Sequence, residues 1–133
     1  MPAAAEIDDE AALLLLRFGG AVDGPAYRAM MTSWFQRYPR AIGYDWLYDL
    51  RGYAGTISHD DVAAVAARYD PLARGRDEGR LSVFVTPDPG FRFWVRACAL
   101  KFPRRRLVTV DDLPAAARLL GEARLAALSA RDS

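Results

Sequence analysis

The segment LSVFVTPDPGFRFWVRACALKFPRRRLVTV, Leu81–Val110, decides the fold. Leu81 to Thr86 is apolar and rich in β-branched residues, which reads as a strand. Thr-Pro-Asp-Pro-Gly then punctuates the chain. Asp88 is placed to cap a helix, and Pro89 fits the first helical position, where its missing N–H costs nothing. The helix predicted over residues 88–102 mixes Phe91, Phe93, Trp94, Leu100 and Phe102 with Arg92, Arg96 and Lys101, and it stops at Pro103. Leu107 to Val110 is a second strand. Two strands joined by a single helix imply a parallel pair with a crossover, the repeating unit of an α/β sheet.

The rest of the chain repeats that alternation. Residues 11–18, AALLLLRF, read as a strand buried on most of its length and closed by Gly19-Gly20. A turn at Asp8-Asp9 would make Ala4 to Ile7 the first strand of an antiparallel hairpin. Asp23, Gly24 and Pro25 start a helix whose face is Tyr27, Met30, Met31, Trp34 and Tyr38, ended by Pro39. In AIGYDWLYDLRGY, Tyr44, Trp46, Tyr48 and Leu50 alternate with Asp45, Leu47 and Asp49, a strand pattern. Ser58 with Asp61 approximates a capping box for a helix with Val62, Val65, Ala66, Tyr69 and Leu72 inside, which Pro71 should kink or end. Arg74 to Arg80 reads as an exposed charged loop. Asp111 or Asp112 caps a last helix from about Pro114 to Leu128, weakened at Gly121, with a frayed tail over residues 129–133. The expectation is one domain, residues 1–133: α/β, a mostly parallel sheet with an N-terminal antiparallel hairpin as an option, in the order (β)βαβαβαβα.

Composition narrows the function classes. The 133 residues are 52% hydrophobic and 26% charged with a net charge of +1, a globular balance that argues against a dedicated nucleic-acid binder. Lys101 is the single lysine among 18 basic residues, a bias that discounts arginine content as a signal. Cys98 stands alone, so no intrachain disulfide forms and a reducing compartment is expected. With His59 and Cys98 the only soft ligands, no metal site is expected, and no cofactor motif occurs: Gly19-Gly20 and Gly52 to Gly55 lack nucleotide-loop spacing. The acidic N-terminus lacks signal-peptide order, and Ala11 to Leu16 is too short to span a bilayer. A soluble cytoplasmic protein is the expectation.

Three strings carry a resemblance. The strand ending Tyr48-Asp49-Leu50-Arg51 leads through a glycine-containing loop to a helix; LSVFVTPDPGFRFWVRACALKFP joins a strand to an amphipathic helix; RRRLVTVDDLPAAARLL pairs a last strand with an Ala/Leu helix. Over about residues 11–120 the chain resembles the SpoIIAA-like proteins of the STAS-like superfamily, whose fold is related to the lipid-binding CRAL-TRIO type. The resemblance implies a non-catalytic regulatory or binding domain. Anti-sigma-factor antagonists of this group carry a phosphorylated Asp-Ser-Ser-Gly motif. Here the comparable place reads Gly55-Thr56-Ile57-Ser58-His59-Asp60, with Ser58 but without the Asp, second Ser or Gly.

Ser58 is therefore read as a helix cap, with a phosphoacceptor as its rival; Asp60 and Asp61 would repel an added phosphate. His59 beside Ser58, Asp60 and Asp61 is not a triad, because neighbours at a helix start do not face one another. Asp49 lies near a strand's C-terminal end, where open α/β sheets place ligand crevices, yet no acid, base or metal partner accompanies it, and loop closure or pairing with Arg51 is preferred. No catalytic residue is assigned. No acidic residue occurs from Phe91 to Arg106, so Arg92, Arg96, Lys101 and Arg104 to Arg106 give that segment six positive charges. The Arg104–Arg106 run is expected to be solvated. The 88–102 helix has one apolar stripe too many: Phe91, Trp94, Val95, Cys98 and Phe102 suffice for a core, leaving Phe93, Ala97 and Leu100. The expected function is non-enzymatic binding of an apolar small ligand or a protein partner through Phe93, Trp94, Ala97 and Leu100, with Trp46, Tyr48 and Asp49 at the pocket edge. A homodimer is expected, no nucleic acid, and a membrane surface only as a weaker option.

Overall fold

The computed structural model describes residues 3–121. Strand β1 (Ala3–Asp8) pairs antiparallel with β2 (Leu13–Gly20), and β2, β3 (Asp45–Tyr53), β4 (Leu81–Val85) and β5 (Arg106–Val110) are parallel. The five strands lie in the sheet in chain order. Helices α1 (Gly24–Arg37), α2 (His59–Ala73) and α3 (Pro89–Ala99) make the crossovers, and a short 3-10 turn, Pro39–Gly43, precedes β3. A fourth helix, α4, begins at residue 113 and is described to residue 121. The fold is α/β with the N-terminal hairpin present. The last part of the expected final helix and the tail lie outside the described residues.

Each crossover moves one place in the same direction, so a common handedness delivers all three helices to one face. That face is built from the even-numbered strand residues Leu14, Leu16, Trp46, Tyr48 and Phe84, packed with Tyr27, Met31, Trp34, Val65, Tyr69 and Val95. Leu81, Val83 and Val85 point the other way and meet Ala116, with Leu113, Leu119 and Leu120 packed around them. β4 is buried on both faces, which explains its unbroken apolar run.

Several local readings need correction. β2 starts at Leu13, because Ala12 takes a left-handed turn conformation (φ 53°). The Gly19-Gly20 pair continues β2, pairing with Gly52 and Tyr53 after a register shift. Pro71 is held inside α2, which stops two residues later at Ala73. Leu72 is exposed and Ala73 takes its place in the core, since the buried stripe runs 62, 65, 66, 69, 73.

The Arg74–Arg80 loop is exposed except for Asp77, which is fully buried. Asp77 accepts hydrogen bonds from Tyr69 Oη at 2.6 Å and Arg104 Nε at 2.8 Å. Only Arg106 of the Arg104–Arg106 run is exposed. Arg105 is 5% exposed. Its guanidinium lies 3.7 Å from the Trp46 ring centre and donates to Ser82 Oγ and to the carbonyls of Ile42, Tyr44 and Leu81. A fork of planar donors suits carbonyls that diverge at the N-terminal ends of parallel strands, which a strand-alternation argument does not see.

Candidate functional site

Helix α3 carries its two apolar stripes to different places. Its inner stripe, Phe91, Trp94, Val95 and Cys98, faces the sheet and α2, and Phe102 joins it from the turn after the helix. The outer stripe is at the surface: Phe93 is 74% exposed, Leu100 is 83% exposed, and Ala97 is half-buried between them.

Between the inner stripe and the sheet lies a small cavity. Trp46, Tyr48 and Phe84 form its floor, Phe18 and Tyr27 one wall, and Tyr53, Phe91 and Trp94 the side nearest solvent. The enclosed space is about 30 Å³, room for about one water molecule. The rings fix one another: Tyr48 stacks on Phe84 at 4.3 Å, Phe91 lies 4.9 Å from Trp94, and Tyr53 meets Phe91 edge-on at 5.7 Å.

Two polar atoms stand out in this lining. Tyr27 is 4% exposed and Tyr48 is 5% exposed, and neither hydroxyl makes a hydrogen bond to another described residue. Side-chain polar atoms sealed from solvent all have partners among the described residues, so neither of these two hydroxyls is sealed. Burial, and then the proximity of Tyr48, Cys98, Asp61 and Tyr53, pushes Tyr27 well above the usual tyrosine range. Burial raises Tyr48 as well, against the opposing pull of Arg105. Both are neutral phenols at any physiological pH, each able to donate and accept one hydrogen bond. Burial also pushes the Cys98 thiol up to about 12, so it is no nucleophile in this setting.

The expected site residues divide accordingly. Trp46, Tyr48 and Trp94 come together at the cavity. Phe93, Ala97 and Leu100 lie on the outer side of α3. Asp49 is elsewhere, bound through both oxygens to Arg51 at 2.9 Å, and this pairing holds its carboxyl below the usual range. The strand order never reverses among β2 to β5, so the crevice that such a reversal opens at strand C-termini is missing beside Asp49. Asp45 accepts the Leu81 N–H at 2.9 Å and ties β3 to β4.

Ser58 closes a complete capping box: its hydroxyl accepts from the Asp61 N–H at 3.2 Å, and Asp61 Oδ2 accepts from Ser58 N at 2.9 Å. The Ser58 O–H in turn donates to Asp61 Oδ2 at 3.0 Å. The His59 ring lies 5.9 Å from Trp94 and is exposed. Among the described residues no cluster of three His, Cys, Asp or Glu could hold a metal, and no helix is long and apolar enough to cross a membrane.

The alternation of strand residues revealed Trp46 and Tyr48 as inward-facing, and helical spacing did the same for Tyr27 and Trp94. Nothing in the sequence separates a tyrosine whose hydroxyl finds a partner, such as Tyr69, from one whose hydroxyl does not. The chain matches no protein-family model and none of the curated proteins compared with it.

Proposed function

We propose that this domain is a non-catalytic binding module of STAS-like type. It takes a small, mainly apolar ligand with one uncharged hydrogen-bonding group into the aromatic cavity beneath α3. The observation that carries the reading is the pair of hydroxyls on the buried residues Tyr27 and Tyr48, set in an apolar lining and without a hydrogen-bond partner among the described residues. A ligand that sealed either hydroxyl from solvent without bonding to it would lose about 1–3 kcal/mol, so an occupant with a matching polar group is favoured.

The lining also selects the head group. An ionised carboxylate would need a free cation, and the nearby guanidinium of Arg105 already donates to one hydroxyl and three carbonyls. An alcohol, phenol or carbonyl oxygen fits instead. The ligand's body needs more than the enclosed space, and half-buried Phe91 and Trp94 are the rings that would yield to it.

Titration with 4-propylphenol and with propylbenzene, read by tryptophan fluorescence and melting temperature, tests this. Both should bind. Tyr48→Phe should weaken the phenol about tenfold, equivalent to one hydrogen bond of about 1.4 kcal/mol, and leave propylbenzene unchanged. If neither compound shifts fluorescence or melting at millimolar concentration, the binding reading is lost. If both bind but Tyr48→Phe and Tyr27→Phe change nothing, the hydroxyls do not read a head group and instead hold water.

A further inference from the structure

The polar side chains lining the aromatic cavity are not equivalent. Trp46 gives its Nε1–H to Ala41 O at 2.8 Å, and Tyr53 Oη accepts from Ile57 N at 3.0 Å. Ser82 is the one aliphatic hydroxyl among the lining residues. It pairs with Trp46 across β3 and β4 and shares the inner face with Phe84, two positions on. Ser82 is 2% exposed. Its Oγ accepts from Arg105 Nε at 2.7 Å, and its own proton goes to no acceptor among the described residues. A hydroxyl offers one proton and two lone pairs. The guanidinium takes a lone pair, so the O–H is left to be matched from the cavity, and a buried donor left unmatched is costly.

The charge behind Ser82 decides which partner suits it. Besides Ser82, Arg105 donates only to the carbonyls of Ile42, Tyr44 and Leu81 among the described residues, so no carboxylate pairs with it directly. Asp77, whose charge also reaches Arg105, is held by Arg104 and Tyr69. A cation donating to a hydroxyl oxygen polarises its O–H and makes it a stronger donor. The same field opposes the positive end of an approaching N–H or O–H. Arg105 pulls on Tyr48 as well, which biases that phenol towards donating.

We propose that the polar group taken into the cavity is an acceptor with no proton of its own, a ketone or ester carbonyl on an apolar body, and that Ser82 selects it. Ser82 thereby narrows the cavity reading proposed above, on which this assignment rests. The two tyrosines by themselves suit an alcohol, a phenol or a carbonyl, because a phenol hydroxyl can give or accept. Ser82, with a guanidinium at its back, turns that choice towards the carbonyl.

The test uses the full chain with propiophenone and propylbenzene, which share a carbon skeleton and differ by the carbonyl oxygen, and with 4-propylphenol. Binding is measured by calorimetry. Ser82→Ala should weaken propiophenone about tenfold, the loss of one hydrogen bond, weaken 4-propylphenol less, and leave propylbenzene unchanged. The infrared carbonyl stretch of bound propiophenone, isolated with an isotope-labelled carbonyl, should lie below its value in hexane and move back towards it in Ser82→Ala. Should that variant fail to fold, the stretch in the wild-type protein decides. A bound ketone with the stretch it has in hexane overturns the assignment. Equal weakening of all three ligands by Ser82→Ala also overturns it, and leaves Ser82 as a support for Arg105. If propylbenzene does not bind the wild-type protein, the cavity reading is lost and the carbonyl with it. If propylbenzene binds and the ketone shows neither effect, the cavity stands and only the choice of a carbonyl falls.

Discussion

Arg105 and Asp77 are the residues on which the interior depends most. Arg105 holds the starts of β3 and β4 and the 3-10 turn before β3 by donating to carbonyls from each, while Trp46 covers its plane. Arg105→Lys keeps the charge and loses the fork, and should cost about 3 kcal/mol in urea unfolding with an unchanged m-value. A loss under about 1 kcal/mol would mean that water satisfies the released carbonyls. At Asp77 burial alone would raise the carboxyl, but the hydrogen bonds from Arg104 and Tyr69 outweigh it and the net shift is downward. A depressed carboxyl contributes stability that is present above its unfolded value of about 3.9 and lost as pH falls through the folded one. Asp77→Asn should therefore be less stable than wild type at pH 7, and the gap should narrow below about pH 4 in denaturation series. Neither partnership was legible beforehand. Asp77 and Arg104 are 27 positions apart, and the RRR run was expected to be solvated, so nothing pointed to Arg105 as buried.

At the scale of elements, the sequence was most legible where caps and periodicity agree. Asp23, Ser58 and Asp88 all accept a hydrogen bond from the first turn of their helices, as their positions implied. The Ser58 box is also where two elements meet. Asp61, its other half, reaches Arg28 on α1 at 2.7 Å, and a Cβ on Gly24 would overlap the Asp61 carboxylate. Gly24→Ala should cost about 1–3 kcal/mol, and most of that should vanish when Asp61 is also Ala, a coupling that a double-mutant cycle measures. Ser58→Ala should cost about 1 kcal/mol by the same unfolding assay. Helix α3 was legible in its start, its inner face and its surplus stripe. The destination of that stripe was not, since periodicity assigns residues to a face without saying what the face meets.

For the molecule as a whole, Cys98 offers a gauge of how firmly α3 is seated. Its thiol is buried beneath that helix and pushed up to about 12, so maleimide labelling requires the helix to lift or the protein to unfold. Labelling at pH 7 should be far slower than for a free thiol, and 4-propylphenol in the cavity should slow it further. Labelling at the free-thiol rate would show that α3 is not held down. The alternation of strands and helices, legible from one end of the chain to the other, fixed the fold class. The order of strands within the sheet needed pairings between residues 25 to 36 positions apart, such as Leu81 with Arg106 and Trp46 with Ser82. That order has a consequence for how the protein is made. Because each strand lies beside the one before it, every βα unit leaving the ribosome can dock on a sheet that already exists, with no place held open for a later arrival. The sheet advances in one direction as synthesis does, and among the described residues β5 is its front.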